Sequence, residues 1–218
     1  MTQSNFINKS FTSFLKYLID LTLSLLILSI LLPIFIVIYP ILLSQIGYPV
    51  IFKQKRTGKS AKSFTLYKFR TMVKNAESLR LKKPKQFSKL NYAPQPMFKI
   101  GDDPRFIKFG KFLSHTGLDE LPQLVNVIKG EMSLVGPRPL PVNEAKSLKT
   151  IDPDWHKWRH QIKPGLFSLW VLNDKRHHSL QNWKKLEKDT LTLNLSQQYL
   201  IIVKIVIIQL KKCLDFII

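Results

Sequence analysis

Two adjacent carboxylates lie where the sequence predicts the start of a helix. Asp119 and Glu120 precede apolar residues at helical spacing, namely Leu121, Leu124, Val125 and Ile128. Pro122 suits the first turn of this helix, and Lys129-Gly130 suits its end. The dipole and the unpaired N–H groups of a helix start stabilise negative charge and attract phosphate. The two acids are therefore either a helix cap and a first-turn acid, which is the commoner case, or a pair that does chemistry on phosphate.

Several cations could neutralise such a phosphate. Arg138 lies between Pro137 and Pro139, and this fixed backbone limits the entropy lost when the planar guanidinium binds a phosphate. The further candidates are Arg70, Arg105, Arg159 and Lys68. Taken alone, such a cation is more often a surface or lipid-facing residue. Their assignment to a phosphate site therefore depends on the motifs around them.

The charge of the chain indicates a polyanionic partner. Its 34 Lys and Arg against 14 Asp and Glu give a formal net charge of +20, which suits nucleic acid or anionic lipid. The basic residues concentrate after a long apolar segment and at residues 80–89, as in juxtamembrane segments that bind anionic lipid. No zinc-finger or RNA-binding motif is present, and the basic stretches lack the interleaved aromatics of single-strand binders. We therefore expect anionic membrane lipids, and no nucleic acid, as partners.

Cysteine and histidine show no metal-binding pattern. The single cysteine, Cys213, excludes an internal disulfide and a cysteine-based zinc site, and it fits a reducing cytoplasm. The five histidines lack metal-ligand spacing. The adjacent pair His177 and His178 is expected to lie in a surface loop rather than to bind a metal.

The apolar segment near the N-terminus is long enough to enter a membrane. From Leu21 to Phe52 the sequence has no charged residue, and about 20 apolar residues suffice to cross the hydrocarbon core. Pro33 predicts a kink and Pro40 a second break. Because lysines flank both ends, a helix that turns back at Pro33 keeps both ends in the cytoplasm, whereas a simple crossing exports a basic N-terminus. Both topologies stay open on these grounds; a cleaved signal peptide fits less well, because no A-x-A-like site follows the long segment.

Shorter patterns predict the elements around the candidate residues. Residues 50–54 and 63–69 form either two short strands around the turn Thr57-Gly58 or a strand that enters a helix. Residues 74–99, rich in Lys, Gln and Pro, predict a mobile loop. Residues 191–218 are apolar but interrupted by lysines, which predicts an interfacial helix or a helix packed on the domain rather than a membrane span. With 218 residues, the chain has room for one membrane segment and one soluble domain.

Motifs in separate parts of the chain carry a resemblance to a known family. They are Lys68-Phe69-Arg70-Thr71-Met72, Asp103-Pro104-Arg105, Leu118-Asp119-Glu120-Leu121-Pro122-Gln123-Leu124, Met132-Ser133-Leu134-Val135-Gly136-Pro137-Arg138-Pro139, and Arg159-His160 before Lys163-Pro164-Gly165. Together they resemble the bacterial sugar transferases, which are small monotopic polyprenyl-phosphate phosphoglycosyl transferases. The resemblance spans about residues 14 to 170 and includes the apolar segment, where Asp20 lies shortly before the helix and Pro33 falls at the position of the family's helix-breaking proline.

The resemblance implies a reaction and a role for each candidate residue. A sugar 1-phosphate passes from a UDP-sugar to undecaprenyl phosphate and UMP is released, which initiates an envelope polysaccharide or glycoconjugate. Asp119 is then the covalent nucleophile of a ping-pong mechanism through an aspartyl-phosphosugar, and Glu120 binds Mg²⁺. The substrate phosphates are bound by Arg138, Arg70, Arg105, Arg159 and Lys68. The structural residues expected near the site are Pro33, Gln123, Pro137 and Pro139.

The resemblance also implies the architecture. We expect an α+β, mainly helical fold. A re-entrant, kinked membrane helix occupies residues 1–52, and a compact cytoplasmic catalytic domain with short strands and interfacial helices occupies residues 53–218. The expected location is the cytoplasmic (inner) membrane of a bacterium, with the catalytic domain on its cytoplasmic face. Downstream glycosyltransferases are further expected partners.

Some positions depart from the family pattern. Leu32 stands where serine is common before the proline, Ile107 stands where threonine is usual, and residues 164–171 replace a Pro-Gly-Ile-Thr-Gly pattern. A later acid and tyrosine pattern is hard to find near residues 189–191. These departures leave the nucleophile and Arg138 intact and bear on sugar specificity. The alternative function is a catalytically lapsed membrane scaffold of a glycan-assembly pathway, which the intact carboxylate pair disfavours.

Overall fold

The computed structural model describes residues 3–173 and 179–217; His177 and His178, predicted to lie in a surface loop, are outside these residues. In chain order the elements are α1 (Gln3–Ile46), β1 (Ile51–Thr57), β2 (Ser63–Phe69), α2 (Ala76–Lys82), α3 (Pro84–Leu90), α4 (Lys108–Thr116), α5 (Leu124–Ile128), β3 (Ser133–Val135), β4 (Leu140–Pro141), α6 (Val142–Ile151), α7 (Pro153–Arg159), β5 (Gly165–Phe167), α8 (Leu169–Leu172), α9 (Leu180–Thr192) and α10 (Leu195–Ile217). Short 3₁₀-helices form at Lys59–Ala61 and Leu118–Gln123. The described chain is thus mostly helical with a few short strands, as the sequence predicted.

The N-terminal helix α1 is long and strongly apolar. Between Thr12 and Ile46 it is long enough and apolar enough to cross a membrane, which fits a membrane anchor. Large apolar side chains on it are exposed: Leu25, Leu26, Ile30, Leu32, Ile36 and Val37. The helix does not end at Pro33 or Pro40. A bend at Pro33 and the re-entrant topology stay predictions.

Residues on both sides of Pro33 hold α1 against the rest of the protein. Before the proline, the buried carboxylate of Asp20 accepts hydrogen bonds from the Ser133 hydroxyl at 2.6 Å and from the Tyr199 hydroxyl at 3.0 Å. After the proline, a buried cluster comprises Ile38 and Leu42 of α1 with Val50, Phe69 and Leu113. The helix is therefore attached at two places to the domain that the other elements form.

Small sheets organise this domain. β1 pairs with β2 in antiparallel register, starting with Ile51 opposite Phe69, and β4 joins the other edge of β1. The sequence left two alternatives open here, and the structure has the two strands rather than a strand that enters a helix. β3 pairs with β5 in parallel, and beside this pair a Cβ on Gly165 would lie 2.0 Å from the nitrogen of Gly136. Only residues without side chains allow the two backbones to approach so closely.

Hydrophobic packing joins the sheets to the helices. One core cluster comprises Phe64, Leu66, Leu124, Val127, Met132, Leu134, Val135, Leu166 and Ile202. A second cluster contains Trp155, Trp170 and Trp183. Beside it, the fully buried carboxylate of Glu187 accepts hydrogen bonds from the Trp155 indole and from the Arg159 guanidinium. Because this buried charge is paired, the core can contain it.

The prediction of a loop over residues 74–99 was wrong, because α2 and α3 lie within this segment. Pro84 occupies the first turn of α3, where its missing N–H costs no hydrogen bond. Phe87 on α3 is buried, and the centre of its ring lies 5.1 Å from the guanidinium carbon of Arg105. Ala93 and Met97 of the same segment are buried in the second core cluster. The segment is thus anchored by packing, although its composition is typical of a loop.

The C-terminal helix α10 has one buried and one exposed apolar face. The buried residues are Ile201, Ile202 and Ile205, and the exposed ones include Leu200, Val203, Ile207, Leu210 and Leu214. The helix therefore packs on the domain, as one of the two predictions stated. Its exposed apolar face also suits the interfacial position that the other prediction gives it.

Candidate active site

A glycine places the two carboxylates. Gly117 follows α4 in the left-handed region, at φ +75°, and the 3₁₀-helix that contains Asp119 and Glu120 starts directly after it. The predicted α-helix over residues 121–128 therefore begins later than expected, after residue 123. Its predicted end is confirmed, since α5 stops two residues before Gly130.

The 3₁₀ turn changes the source of charge stabilisation at the pair. Pro122 has no N–H to donate within this turn, and α5 is only 5 residues long. A helix dipole is carried by aligned peptide units, so a helix this short contributes little of it. The ionisation of Asp119 and Glu120 therefore depends on neighbouring side chains rather than on a helix start.

Lys68 joins the two carboxylates. It lies on β2, and its Nζ is 2.5 Å from Glu120 Oε1 and 3.5 Å from Asp119 Oδ2. The Asp119 side chain is 9% exposed and the Lys68 side chain 18%. An ammonium between two partly desolvated carboxylates offsets their mutual repulsion. The structure thus brings together three of the residues that the sequence predicted for the site.

The surroundings shift the pKa values of Asp119 and Glu120 in opposite directions. Burial raises the pKa of the Asp119 carboxyl, an effect that Lys68 opposes and Glu120 reinforces. Burial acts on Glu120 as well, but Lys68 and Arg138 outweigh it and lower the pKa of Glu120 to about 2. Glu120 is therefore ionised throughout the neutral range, and Asp119 is the more readily protonated of the two.

Arg138 is held at the site by its side chain and by its backbone. Its guanidinium carbon lies 4.8 Å from the ring centre of Trp170 on α8, in a cation–π contact. Its carbonyl oxygen accepts a 2.7 Å hydrogen bond from Arg159, and Arg159 forms a 2.8 Å ion pair with Glu187. The buried pair on α7 and α9 therefore fixes the backbone that carries Arg138.

Asp119 borders two cavities. The first, of about 140 Å³, is bordered by Lys68, Lys99, Asp119, Glu120, Arg138 and Trp170, together with residues of α4 and α10. The second, of about 290 Å³, is bordered by Lys68, Arg70, Lys99, Arg105 and Asp119, together with residues of β1, α2 and α4. A carboxylate with cations in both adjoining spaces can accommodate anionic reactants. This arrangement suits displacement at phosphorus.

Arg70, Arg105 and Arg159 have protein partners. Arg70 donates to the backbone carbonyl of Gly47 at 2.6 Å, just after α1. Arg105 forms a bidentate pair with Asp103, at 2.9 and 2.6 Å. Arg159 is the residue that supports the backbone of Arg138. The role of these three guanidinium groups as phosphate ligands stays a prediction.

Of the residues predicted to have a structural role near the site, some border its cavities and one does not. Gln123 is buried and borders a narrow space with Glu120 and Arg138. Pro139 borders the same space, and Pro137 precedes Arg138 in the chain. Pro33 is exposed on α1 and is not among the described residues that border the two cavities.

Three further residues border the site and were not predicted from the sequence, namely Lys99, Trp170 and Arg56. Lys99 lies in the segment that was predicted to be a loop. A single tryptophan, such as Trp170, is usually interpreted as a residue of the hydrophobic core. Arg56 was counted among the basic residues after the apolar segment, yet it donates to the Pro139 carbonyl at 2.9 Å. Burial and the charge of Arg138 lower the pKa of Arg56 to about 10. The signal for Trp170 was its place in the segment that departs from the family pattern.

The donor set fits one kind of magnesium site. The described part of the chain contains no group of three or more His, Cys, Asp or Glu side chains that could hold a metal ion. Mg²⁺ needs no such cage, because it is commonly bound by one or two carboxylates with substrate phosphates and water. Glu120 is ionised and lies next to Asp119 beside a basic cavity, so it fits a magnesium site made of one carboxylate, substrate phosphates and water.

Comparison with known proteins gives matches along most of the chain. The family model of the bacterial sugar transferases matches residues 11–214. The galactosyl transferase CpsE of Streptococcus agalactiae serotype III is 41% identical over 131 residues, which are 60% of this chain and 27% of that protein. The undecaprenyl-phosphate galactose phosphotransferase of Salmonella typhimurium is 37% identical over 174 residues, 79% of this chain and 35% of the relative.

A third relative is named for glucose. The UDP-glucose:undecaprenyl-phosphate glucose-1-phosphate transferase of Escherichia coli K12 is 36% identical over 175 residues, 80% of this chain and 34% of that protein. The chain spans between 27% and 35% of the length of these three relatives. The family match includes Lys68, the Asp119-Glu120 pair and Arg138, and it confirms the resemblance that the motifs carry. The chain therefore belongs to the bacterial sugar transferase family.

Proposed function

We propose that this chain transfers a sugar 1-phosphate from a UDP-sugar to undecaprenyl phosphate and releases UMP. The observation that carries the proposal is the buried carboxylate of Asp119, which borders two basic cavities and is joined to Glu120 through Lys68. Phosphoryl transfer needs charge neutralisation more than acid–base chemistry, and these residues supply it. Relatives named for sugar transfer to undecaprenyl phosphate support the choice of substrates.

In the first step, a carboxylate oxygen of Asp119 attacks the phosphorus that bears the sugar. A bond forms between this oxygen and phosphorus, while the bond from phosphorus to the oxygen that bridges the two phosphates breaks. The electron pair leaves with UMP, and the sugar phosphate stays on Asp119 as an acyl phosphate. Lys68 and Arg138 balance the charge on the phosphate oxygens, and no proton has to move.

In the second step, a phosphate oxygen of undecaprenyl phosphate attacks the same phosphorus. The new bond forms as the bond to Asp119 breaks, so the carboxylate is regenerated. The product carries the sugar on undecaprenyl diphosphate, which is a substrate for downstream glycosyltransferases. Because UMP leaves before the acceptor reacts, the kinetics are ping-pong.

Glu120 would hold Mg²⁺ together with oxygens of the substrate diphosphate. When bound, Mg²⁺ supplies positive charge to the phosphate oxygens. Glu120 is suited to this role because its carboxyl stays ionised, with a pKa of about 2. Lys68, at 2.5 Å from Glu120 Oε1, keeps the carboxylate oriented toward the site.

We infer that α1 is re-entrant and that the reaction takes place at the cytoplasmic face of a bacterial inner membrane. The attachments of α1 before and after Pro33 support it, since Asp20 on one side and Leu42 on the other both contact the same domain. The exposed apolar residues on both sides of Pro33 suit burial in lipid. The phosphate of a long-chain lipid then arrives at the level of the domain, where Asp119 lies.

The segment after β5 borders the space available to the donor. Trp170 and Val171 line the cavity that contains Glu120 and Arg138, and both lie in the segment that departs from the family pattern. We infer that these side chains contribute to the choice of sugar or nucleotide. Because the relatives are named for galactose and glucose, UDP-galactose and UDP-glucose are the first donors to test.

The proposal is tested with the full chain purified in detergent. The reaction contains Mg²⁺, undecaprenyl phosphate and either UDP-hexose, and UMP release is measured. We expect activity with the wild type and a loss of more than about 1,000-fold for Asp119→Asn, because the nucleophile is removed. Asp154→Asn is the matched control, since this aspartate is exposed on α7, and its activity should equal that of the wild type.

Exchange of labelled UMP into UDP-sugar tests the covalent step. A ping-pong enzyme catalyses this exchange without undecaprenyl phosphate. Exchange that requires the acceptor would contradict the aspartyl intermediate, and equal UMP release by wild type and Asp119→Asn would remove Asp119 as the nucleophile. Absence of UMP release with every UDP-sugar tested would favour the scaffold alternative.

A further inference from the structure

A third basic cavity lies beside residues 13–20 of α1, apart from the two cavities at Asp119. Its volume is about 290 Å³, and it is bordered by α1, the 3₁₀-helix Lys59–Ala61, β3 and the chain before β5. The charged residues on its border are Lys16, Asp20, Lys59 and Lys163. None of its described lining residues also borders the two cavities at Asp119. The proposed reaction therefore makes no use of it.

Two of its lysines are held in place. The Nζ of Lys16 is buried; it forms an ion pair with Asp20 Oδ2 at 3.5 Å and lies 5.6 Å from the ring centre of Tyr199, but it makes no hydrogen bond to the residues that the structure describes. The Nζ of Lys163 lies 5.0 Å from the ring centre of Tyr17. An ammonium carries three N–H donors and no acceptor. The buried donors of Lys16 thus favour a ligand that accepts hydrogen bonds.

The charge in the cavity favours an anion. Asp20 is the one acid among three lysines on the described border, and its oxygens already accept hydrogen bonds from Ser133 and Tyr199. Burial lowers the pKa of Lys163; Asp20 opposes this effect and Lys59 adds to it. An anion between the lysines offsets both the burial and the repulsion.

The position of the cavity indicates the source of that anion. Asp20 is the last charged residue before the apolar run that starts at Leu21, and Lys16 lies one turn earlier on α1. Phe14, Leu15 and Leu18, on the same turns, are exposed. At this level of a membrane helix, lysines reach lipid headgroups while apolar side chains contact acyl chains.

We propose that this cavity binds the phosphate of an anionic membrane lipid such as phosphatidylglycerol. Lys16 and Lys163 contact the phosphate, and the exposed Lys59 lies at the rim. The site is separate from that of undecaprenyl phosphate, and binding there holds the start of α1 against β3. The inference goes beyond the proposed reaction and does not depend on it, because lipid binding is measured without sugar donor.

The experiment measures lipid affinity by native mass spectrometry of the full chain in neutral detergent. The probes are phosphatidylglycerol, phosphatidylcholine and inorganic phosphate. We expect the wild type to retain phosphatidylglycerol, and Lys16→Gln/Lys163→Gln to bind it roughly 30-fold more weakly, at about fivefold for each lysine. Lys62→Gln is the matched control, because Lys62 is exposed and does not border the cavity.

Each outcome decides the proposal. Equal weakening by Lys62→Gln and by the double variant would show general attraction between a basic protein and anionic lipid, and would overturn the site. Equal binding of phosphatidylcholine would overturn the anion assignment, and equal binding of inorganic phosphate would overturn the lipid assignment. If thermal melting shows that the double variant does not fold, Lys163→Gln alone is measured, with Lys163→Arg expected to restore binding.

Discussion

Lys68 serves both carboxylates of the site unequally. Its Nζ is 1 Å closer to a Glu120 oxygen than to an Asp119 oxygen, at 2.5 against 3.5 Å. Burial raises the pKa of Asp119, and the more distant Lys68 only partly opposes it; at Glu120 the closer Lys68, together with Arg138, outweighs burial and lowers the pKa. Glu120 is thus suited to a stable ion pair with Lys68. Asp119 keeps a carboxylate oxygen that can form a new bond.

The raised pKa of Asp119 predicts an acid limb in the pH profile. Attack requires the ionised carboxylate, so kcat/KM for UMP release falls as pH falls through the pKa of Asp119, by about tenfold per pH unit below it. Because burial raises this pKa, the limb should lie above the ordinary carboxyl range. Glu120, with a pKa of about 2, adds no limb near neutrality. A limb at the ordinary pKa of an aspartate would contradict the buried nucleophile.

Removing the charge of Lys68 should change both the rate of UMP release and its dependence on pH. We expect Lys68→Met to lower kcat by roughly 100-fold, as for the loss of one group that stabilises developing charge. The acid limb should also move to higher pH, because Lys68 lowers the pKa of Asp119. Lys68→Arg keeps the charge and is the control. A lower rate with an unmoved limb would place the effect of Lys68 elsewhere than at Asp119.

The sequence motifs predicted which residues form the site, but they did not predict which protein groups those residues contact. Asp119, Glu120 and Lys68 lie in two separate motifs of one family pattern, and they meet in space, as the resemblance implied. Arg105 pairs with Asp103 only two positions earlier, which local spacing could have indicated. The partner of Arg159 is 28 positions away on another helix, and only the tertiary fold brings it close. Whether an arginine is buried cannot be predicted from the residues next to it in the sequence, because its partner can lie far away in the chain.

At the level of elements, the pairing of α7 with α9 supports the site. Glu187 on α9 is completely buried, and its charge is balanced by Arg159 on α7. Arg159 in turn binds the backbone carbonyl of Arg138. The stability of the domain and the position of Arg138, the proposed phosphate ligand, thus depend on the same ion pair.

Breaking this pair should cost stability. We expect Glu187→Gln to lower the free energy of unfolding by about 3–5 kcal/mol, because Arg159 is left as an uncompensated buried charge. Chemical denaturation of the full chain in detergent measures this value. Lys188→Gln, exposed on the same helix, should leave it unchanged. An unchanged free energy for both variants would mean that Arg159 finds another anion or water.

The elements were predictable where a local pattern dominates. The two strands β1 and β2 and the end of α5 followed from turn signals and apolar spacing. The 3₁₀ turn at Asp119 did not, because proline at position 122 fits a first turn of either helix type. The helices within residues 74–99 were not predicted, because burial of Phe87, Ala93 and Met97 outweighs a loop-like composition.

For the molecule as a whole, the two attachments of α1 predict that both of its ends face the cytoplasm. In a Cys213→Ser background, Thr12→Cys and Lys62→Cys place single thiols at exposed positions before and after the apolar run. We expect a membrane-impermeant maleimide to label both from the cytoplasmic side only. Labelling from opposite sides would contradict the re-entrant helix and support a crossing.

The same attachments fix the depth of the protein in a bilayer. A free membrane helix adapts to bilayer thickness by tilting. Asp20 before Pro33, and Ile38 and Leu42 after it, couple any tilt of α1 to a rotation of the whole domain. A thicker bilayer must therefore either thin around the protein or, in the proposed reaction, carry Asp119 away from the phosphate of the lipid acceptor. We therefore expect the rate of the proposed reaction to depend on the thickness of the host membrane.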